Sequence, residues 1–436
     1  MPHLLIRNVR PWPRTVDAPA VDVLVSDGRI SEIRERSRSA GTRHPTGEHS
    51  TADEPPADVV DGRGGVLLPS FSDVHAHLDS TRLGLPFRPH TAEPGLAGLV
   101  ENDRRNWRHA EATVAQRATY TLGRTIAAGA TLVRSHAQVD PDSGLERLDG
   151  VLAAREHHAS RARVEVVAFP QAGVIREAGT ADLLEQALLA GADLIGGLDP
   201  CAFDRDPVAQ LDVVFGLADK HGRGVDIHLH EPGELGAFSM ELICERVAAL
   251  SMQGRVTISH AFALCTVDAA RQAQLVDLLV EQDVAVTTVA PGTRDPLPLV
   301  ALREKGVRLG LGQDGIRDYW SPYGNGDMLD RAWQMAFRAG YRADAMVEAC
   351  VEVATLGGRS VVDGSVVDGS VVDSSVVDGA AGAARETESQ RGLAVGDRAD
   401  LVIVPGDTVT AAVMDRPART AVIHAGVVVA RDGELV

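Results

Sequence analysis

His75 and His77 close an apolar run that begins at Gly65, with a single residue between them. In an extended segment, side chains two apart share a face, so both imidazoles aim at one point. Neutral imidazole is the commonest side-chain ligand for first-row transition metals, and the pair therefore offers half of a metal site. Taken alone, a His-x-His at a strand end is as well explained by two polar groups at a loop.

The pair has company. Gln171 follows an apolar stretch at 164–169; His228 lies near the end of one at 224–229, with His230 and Glu231 after it; His260 follows 255–259; and Gln313, Asp314 and Gly315 follow 307–312. Each would be unremarkable singly. Together they put imidazoles, carboxylates and an amide at the same end of successive strands, which is the chemistry of a metal-dependent hydrolytic site.

The elements that must position these groups alternate strand and helix. Apolar strands are expected at 66–74, 131–139, 164–169, 193–198, 224–229, 255–259, 284–289 and 307–312, with helical sequence between them, for instance at 113–128, 208–221 and 235–250. Eight strands with intervening helices, and more helical sequence after the eighth, is the count of an α/β (β/α)8 TIM barrel, whose active site lies at the C-terminal ends of the strands. Outside this region the chain reads as short strands broken by Asp-Gly turns at Asp27-Gly28, Asp61-Gly62 and Asp432-Gly433. These terminal strands are expected to pair into one small discontinuous β-sandwich domain. The expected division is 1–64 and 391–436 for the two parts of that domain, 65–359 for the barrel, and 360–390 for a low-complexity insert. The insert carries four passes of Val-Val-Asp and reads as a flexible expansion.

Composition narrows the partners. A formal charge of −18 over 436 residues argues against a broad basic surface for nucleic acid or anionic membrane. A small molecule and water are the expected partners, and nothing excludes a homo-oligomer. Cys201, Cys244, Cys265 and Cys350 are too scattered for a disulfide framework or a zinc knuckle, no stretch approaches a membrane span, and the N-terminus lacks a signal sequence, so a cytoplasmic protein is expected.

The order His-x-His, strand-five His, strand-six His and strand-eight Asp resembles the metal-dependent amidohydrolase superfamily. The segments Val74-His75-Ala76-His77-Leu78-Asp79, Ala168-Phe169-Pro170-Gln171-Ala172-Gly173, Asp226-Ile227-His228 with Glu231, and Asp318 with Trp320 look like its cytosine deaminase branch. The resemblance implies one divalent ion, Fe2+ or Zn2+, held by His75, His77, His228 and Asp314. It implies His260 and Asp314 as the groups that handle the proton of the attacking water, and Glu231 as the carrier of protons to a ring nitrogen and the departing ammonia. Gln171, which both donates and accepts, suits the –NH–C(=O)– edge of a heterocycle, and Trp320 an apolar wall.

Binuclear relatives bridge two ions with a lysine after strand four. The only lysines, Lys220 and Lys305, stand elsewhere, and Cys201, just past strand four, reads better as a buried thiol than as a ligand. Where the cytosine deaminase branch has a second aspartate this chain has Gly315, which implies a larger, less charged pocket. A deaminase of a cytosine-like or other amino-substituted N-heterocycle is expected. The alternatives are hydrolysis of an amide or N-alkylamine bond, as in N-isopropylammelide hydrolases, and a non-catalytic scaffold of the same ancestry.

Overall fold

The computed structural model describes residues 4–13, 17–36, 58–292, 294–364 and 392–436. All eight expected barrel strands form: Phe71–Ala76, Ala130–Gln138, Arg163–Phe169, Leu194–Leu198, Gly224–His228, Val256–Ser259, Ala285–Thr288 and Leu309–Leu311. They hydrogen-bond in chain order, and the paired residues of successive strands run parallel. A bridge between Ala76 and Asp314 closes the ring.

Helices between the strands start where the sequence supplies a cap. Asp206 accepts from the Ala209 N–H ahead of Pro207, at the head of helix Pro207–His221, which ends on Gly222 at φ 64°. Asp268 caps Ala269–Glu281 in the same way. Among the described residues no helix is long and apolar enough to cross a membrane.

The expected first barrel strand divides. Val66–Pro69 pairs antiparallel with Leu401–Val404, while Phe71–Ala76 enters the barrel, the break falling at Ser70. Pro69 lacks an N–H and so cannot extend a ladder as a donor. By contacts the chain forms two units, residues 1–70, 126–131 and 380–436 in one and 71–125 with 132–379 in the other.

Strands from both termini make a single nine-stranded sheet in the first unit. Asp27 and Gly28, both at positive φ, turn Val21–Ser26 back onto Arg29–Glu35 as a hairpin. Asp61-Gly62 behaves otherwise. Asp58–Asp61 runs parallel to Leu4–Arg7, and the left-handed pair there is Arg63-Gly64.

The first Val-Val-Asp copy is not a flexible expansion. Val361 to Asp363 belong to helix Gly358–Asp363, where Val361 is buried against Gly310 of the eighth strand, Arg308 donates to the Ser360 carbonyl, and Arg163 pairs with Asp363. The remaining copies lie outside the described residues.

Candidate active site

The barrel closes on its own polar end. Asp314 donates its N–H to the His75 carbonyl at 2.7 Å and accepts the His77 N–H at 3.2 Å, so the carboxylate of Asp314 and the two imidazoles are carried on hydrogen-bonded neighbours. Asp314 reaches this geometry at φ 63°, a conformation that aspartate tolerates better than most residues. Its carboxylate lies 3.5 Å from His77 Nε2 and 3.8 Å from His75 Nε2. His228, the last residue of the fifth strand, turns its Nε2 to within 3.2 Å of His77 Nε2, and its ring stacks on Phe169 at 4.0 Å.

His75, His77 and Asp314 present ligand atoms all within 4.8 Å of one another, and His75, His136 and His228 do the same. The four residues expected to hold an ion are divided between these two groups, which share His75 and meet where His228 approaches His77, and His136 joins the second. His136 carries no strand-end signal in the sequence, since it lies inside the second strand, not beyond its end. Its signal was the period of two that places Arg134, His136 and Gln138 on one face.

Burial, and then the neighbouring imidazoles, hold His75 and His228 well below the ordinary histidine pKa, and His136 and His260 shift the same way. Neutral rings keep a free lone pair. His75 Nε2, His228 Nδ1, His260 Nδ1 and both nitrogens of His136 are buried without a hydrogen-bond partner. Each such group costs about 1–3 kcal/mol unless something pairs with it. A cluster of bare imidazole nitrogens beside a carboxylate fits a divalent cation and little else.

His260 leaves the sixth strand at φ 70°, its ring 4.7 Å from that of His75 and 4.2 Å from that of His230. His230 is a second residue whose setting the sequence did not disclose. Its Nδ1 and its backbone N–H both bond the carboxylate of Asp199, the residue directly after the fourth barrel strand, at 2.9 and 2.6 Å. Lys220, on helix Pro207–His221, and Lys305, just past helix Leu299–Glu304, are exposed and paired with Glu185 and Asp277.

The Glu231 carboxylate accepts from the N–H groups of Cys201 and Ala202 and from the Ser239 hydroxyl. Burial raises its pKa. Cys201 is occupied by this arrangement and by a 3.3 Å contact from Ser239 Oγ to its sulfur, and it belongs to neither group of potential ligands. Gln171 is buried just beyond the third strand.

Beyond the eighth strand, Gly315 stands beside the carboxylate of Asp318. A Cβ on Gly315 would stand 2.1 Å from Asp318 Oδ2, so the space is already taken by a carboxylate. Asp318 Oδ1 accepts the N–H groups of Trp320 and Ser321, each at 2.8 Å, and its Oδ2 accepts from Ser80 at 3.2 Å. Burial pushes its pKa up to about 7. The indole of Trp320, whose backbone Asp318 fixes in this way, packs against Trp107, Val114 and Tyr319.

A model of the amidohydrolase family matches residues 58–366. A protein of Escherichia coli K12, YahJ, is 33% identical over 313 residues, a match that spans 71% of this chain and 65% of that relative's length. The N-isopropylammelide isopropyl amidohydrolase of Pseudomonas sp. strain ADP is 26% identical over 386 residues, covering 87% of this chain and 89% of that one. The crystal structure of N-isopropylammelide isopropylaminohydrolase from Burkholderia multivorans superposes with a TM-score of 0.84 at 38% identity, over 100% of both chains.

Proposed function

The chain belongs to the amidohydrolase family, and from that premise we propose that it is a metal-dependent hydrolase that removes an amino or alkylamino group from an N-heterocycle. The observation that carries this reading is the convergence of His75, His77, His228 and Asp314 around buried, unpartnered imidazole nitrogens. One divalent ion, iron or zinc, would be held by those four residues. When bound, it supplies Lewis acidity and brings the pKa of a water from about 15.7 toward 7.

The protein's own groups then have distinct tasks. His260 and Asp314 take up the proton of the attacking water and orient it. Glu231, whose pKa is raised by burial, carries a proton to a ring nitrogen and on to the departing amine. Gln171 pairs with the amide-like edge of the ring, and Trp320 forms a wall beside it. A cytoplasmic location goes with this reading, since all four cysteines are free.

Two substrate classes follow from the same site. Deamination of a cytosine-like ring is one. Loss of an alkylamine is favoured by the 38% identity to the Burkholderia isopropylaminohydrolase along the whole chain. Assays of amine release from alkylamino-triazines, and of ammonia release from cytosine and other aminopyrimidines, separate the two. Turnover of neither class by metal-loaded protein would leave the non-catalytic scaffold as the better reading.

A further inference from the structure

Below the metal-facing histidines the barrel interior is polar rather than apolar. On the second strand Arg134 sits two residues before His136, and on the fifth Asp226 sits two before His228, so both point into the barrel one layer down. Arg134 Nη1 donates to Asp226 Oδ2 at 3.0 Å and its other nitrogens engage Glu165. Asp226 Oδ1 accepts from Ser259 Oγ at 2.6 Å, and Ser259 Oγ lies 2.9 Å from Nδ1 of His75. All of Arg134, Asp226, Ser259 and His75 are buried.

A hydroxyl carries one proton. Arg134 donates to one oxygen of Asp226 and Ser259 Oγ donates to the other, so the Ser259 proton is directed at Asp226. Toward His75 the serine oxygen is then left with lone pairs only, and a hydrogen bond there requires that Nδ1 carry the ring proton. The same bookkeeping leaves Nε2 bare, and His75 Nε2 is the buried atom without a partner that faces Asp314.

We propose that Asp226 and Ser259 are positioning residues that fix the tautomer of His75, acting through one another to keep its Nε2 lone pair directed at the ion. This rests on the metal site proposed above. Groups behind a metal-ligating histidine set both ring orientation and basicity, and losing them typically lowers metal affinity about 10–100-fold. Among the described hydrogen bonds, the rings of His77 and His228 have no such anchor, since the one side-chain bond of each joins the two rings.

The direction of the relay makes Asp226→Asn informative. An asparagine amide can donate to Ser259 where a carboxylate cannot, which would turn the serine proton toward His75 and favour the wrong tautomer. Arg134 keeps Glu165 as a partner in that variant. Thr287→Val is the control. Thr287 Oγ1 also touches Ser259, at 2.8 Å, but lies off the path to His75.

The experiment uses the full chain stripped with a chelator, with zinc affinity measured by competition against a chromophoric chelator and with the visible spectrum of the cobalt form recorded. Circular dichroism checks that each variant is folded. Ser259→Ala and Asp226→Asn are expected to lose about 10–100-fold in zinc affinity and to shift the cobalt bands. Ser259→Thr, which keeps the hydroxyl, and Thr287→Val should stay within a few-fold of the parent. Folded Ser259→Ala and Asp226→Asn proteins that bind zinc as the parent does would overturn the relay while leaving the metal site standing. If Ser259→Ala fails to fold, Asp226→Asn decides alone. Failure of the parent itself to bind zinc or cobalt would remove the metal site and the relay with it.

Discussion

Gly315 and Asp318 compete for one space, because a Cβ on the first would lie 2.1 Å from a carboxylate oxygen of the second. Restoring the aspartate seen in cytosine deaminase-like sequences is therefore not a simple gain of an acceptor. Gly315→Asp must displace Asp318 from Ser80 and place two carboxylates together. It is expected to destabilise the protein by about 1–3 kcal/mol, as overpacking does, and to gain no cytosine turnover. Thermal unfolding and an ammonia assay on Gly315→Asp and on the pair Gly315→Asp with Asp318→Gly check this. A single variant as stable as the parent would show that Asp318 moves aside freely.

Glu231 is held by three donors whose bonds a glutamine can largely retain, since its carbonyl can accept from Cys201 and Ala202 while its amide donates to Ser239. Glu231→Gln should keep the metal and the fold yet lose at least about two orders of magnitude in kcat. Near-parental turnover would shift the proton-carrying role toward the His230–Asp199 pair, whose ring lies beside His260.

His158 offers a pH dependence away from the site. Burial lowers its pKa, and its Nε2 is bound to the Thr119 carbonyl at 3.0 Å. The unfolded chain, with an ordinary histidine pKa near 6.5, takes up a proton there before the folded one does. Stability from this group is complete above about pH 6.5 and is lost as pH falls through the folded value. Relative to the parent, His158→Gln should show a flatter decline of Tm between pH 7 and pH 5. A parallel decline would mean that His158 contributes nothing to acid sensitivity.

The Val-Val-Asp segment separates into a packed beginning and the rest. Deleting 365–378 spares helix Gly358–Asp363 and should leave turnover and Tm unchanged. Val361→Asp, by contrast, puts a charge into the contact with the eighth strand that carries Asp314 on its far end, and should lower Tm by several degrees. Loss of activity in the deletion with the fold intact would place the later copies in contact with the site or with another subunit.

The barrel was legible because each of its strands is a short apolar run and the eight recur with helical sequence between them. The split at Ser70 was not, since Val66–Pro69 and Phe71–Ala76 are equally apolar and only the partner strand Leu401–Val404, more than 300 residues away in sequence, distinguishes them. Residues at strand ends were found for the same reason that His136 was missed, as attention to strand ends overlooks a histidine within a strand. Asp199 and Ser259 carry no motif. Their roles depend on which atoms meet, His230 for the first and His75 for the second, and no spacing in the chain encodes those distances. The approach of Asp318 to Gly315 is likewise set by how the loop after the eighth strand folds.

Hydrolysis at this site requires the ion. Elemental analysis of the purified, dialysed full chain, alongside His228→Ala, measures it directly. The four-residue site predicts close to one iron or zinc per chain in the parent and little in the variant. Two tightly held ions per chain, or a parent as empty as His228→Ala, would contradict it.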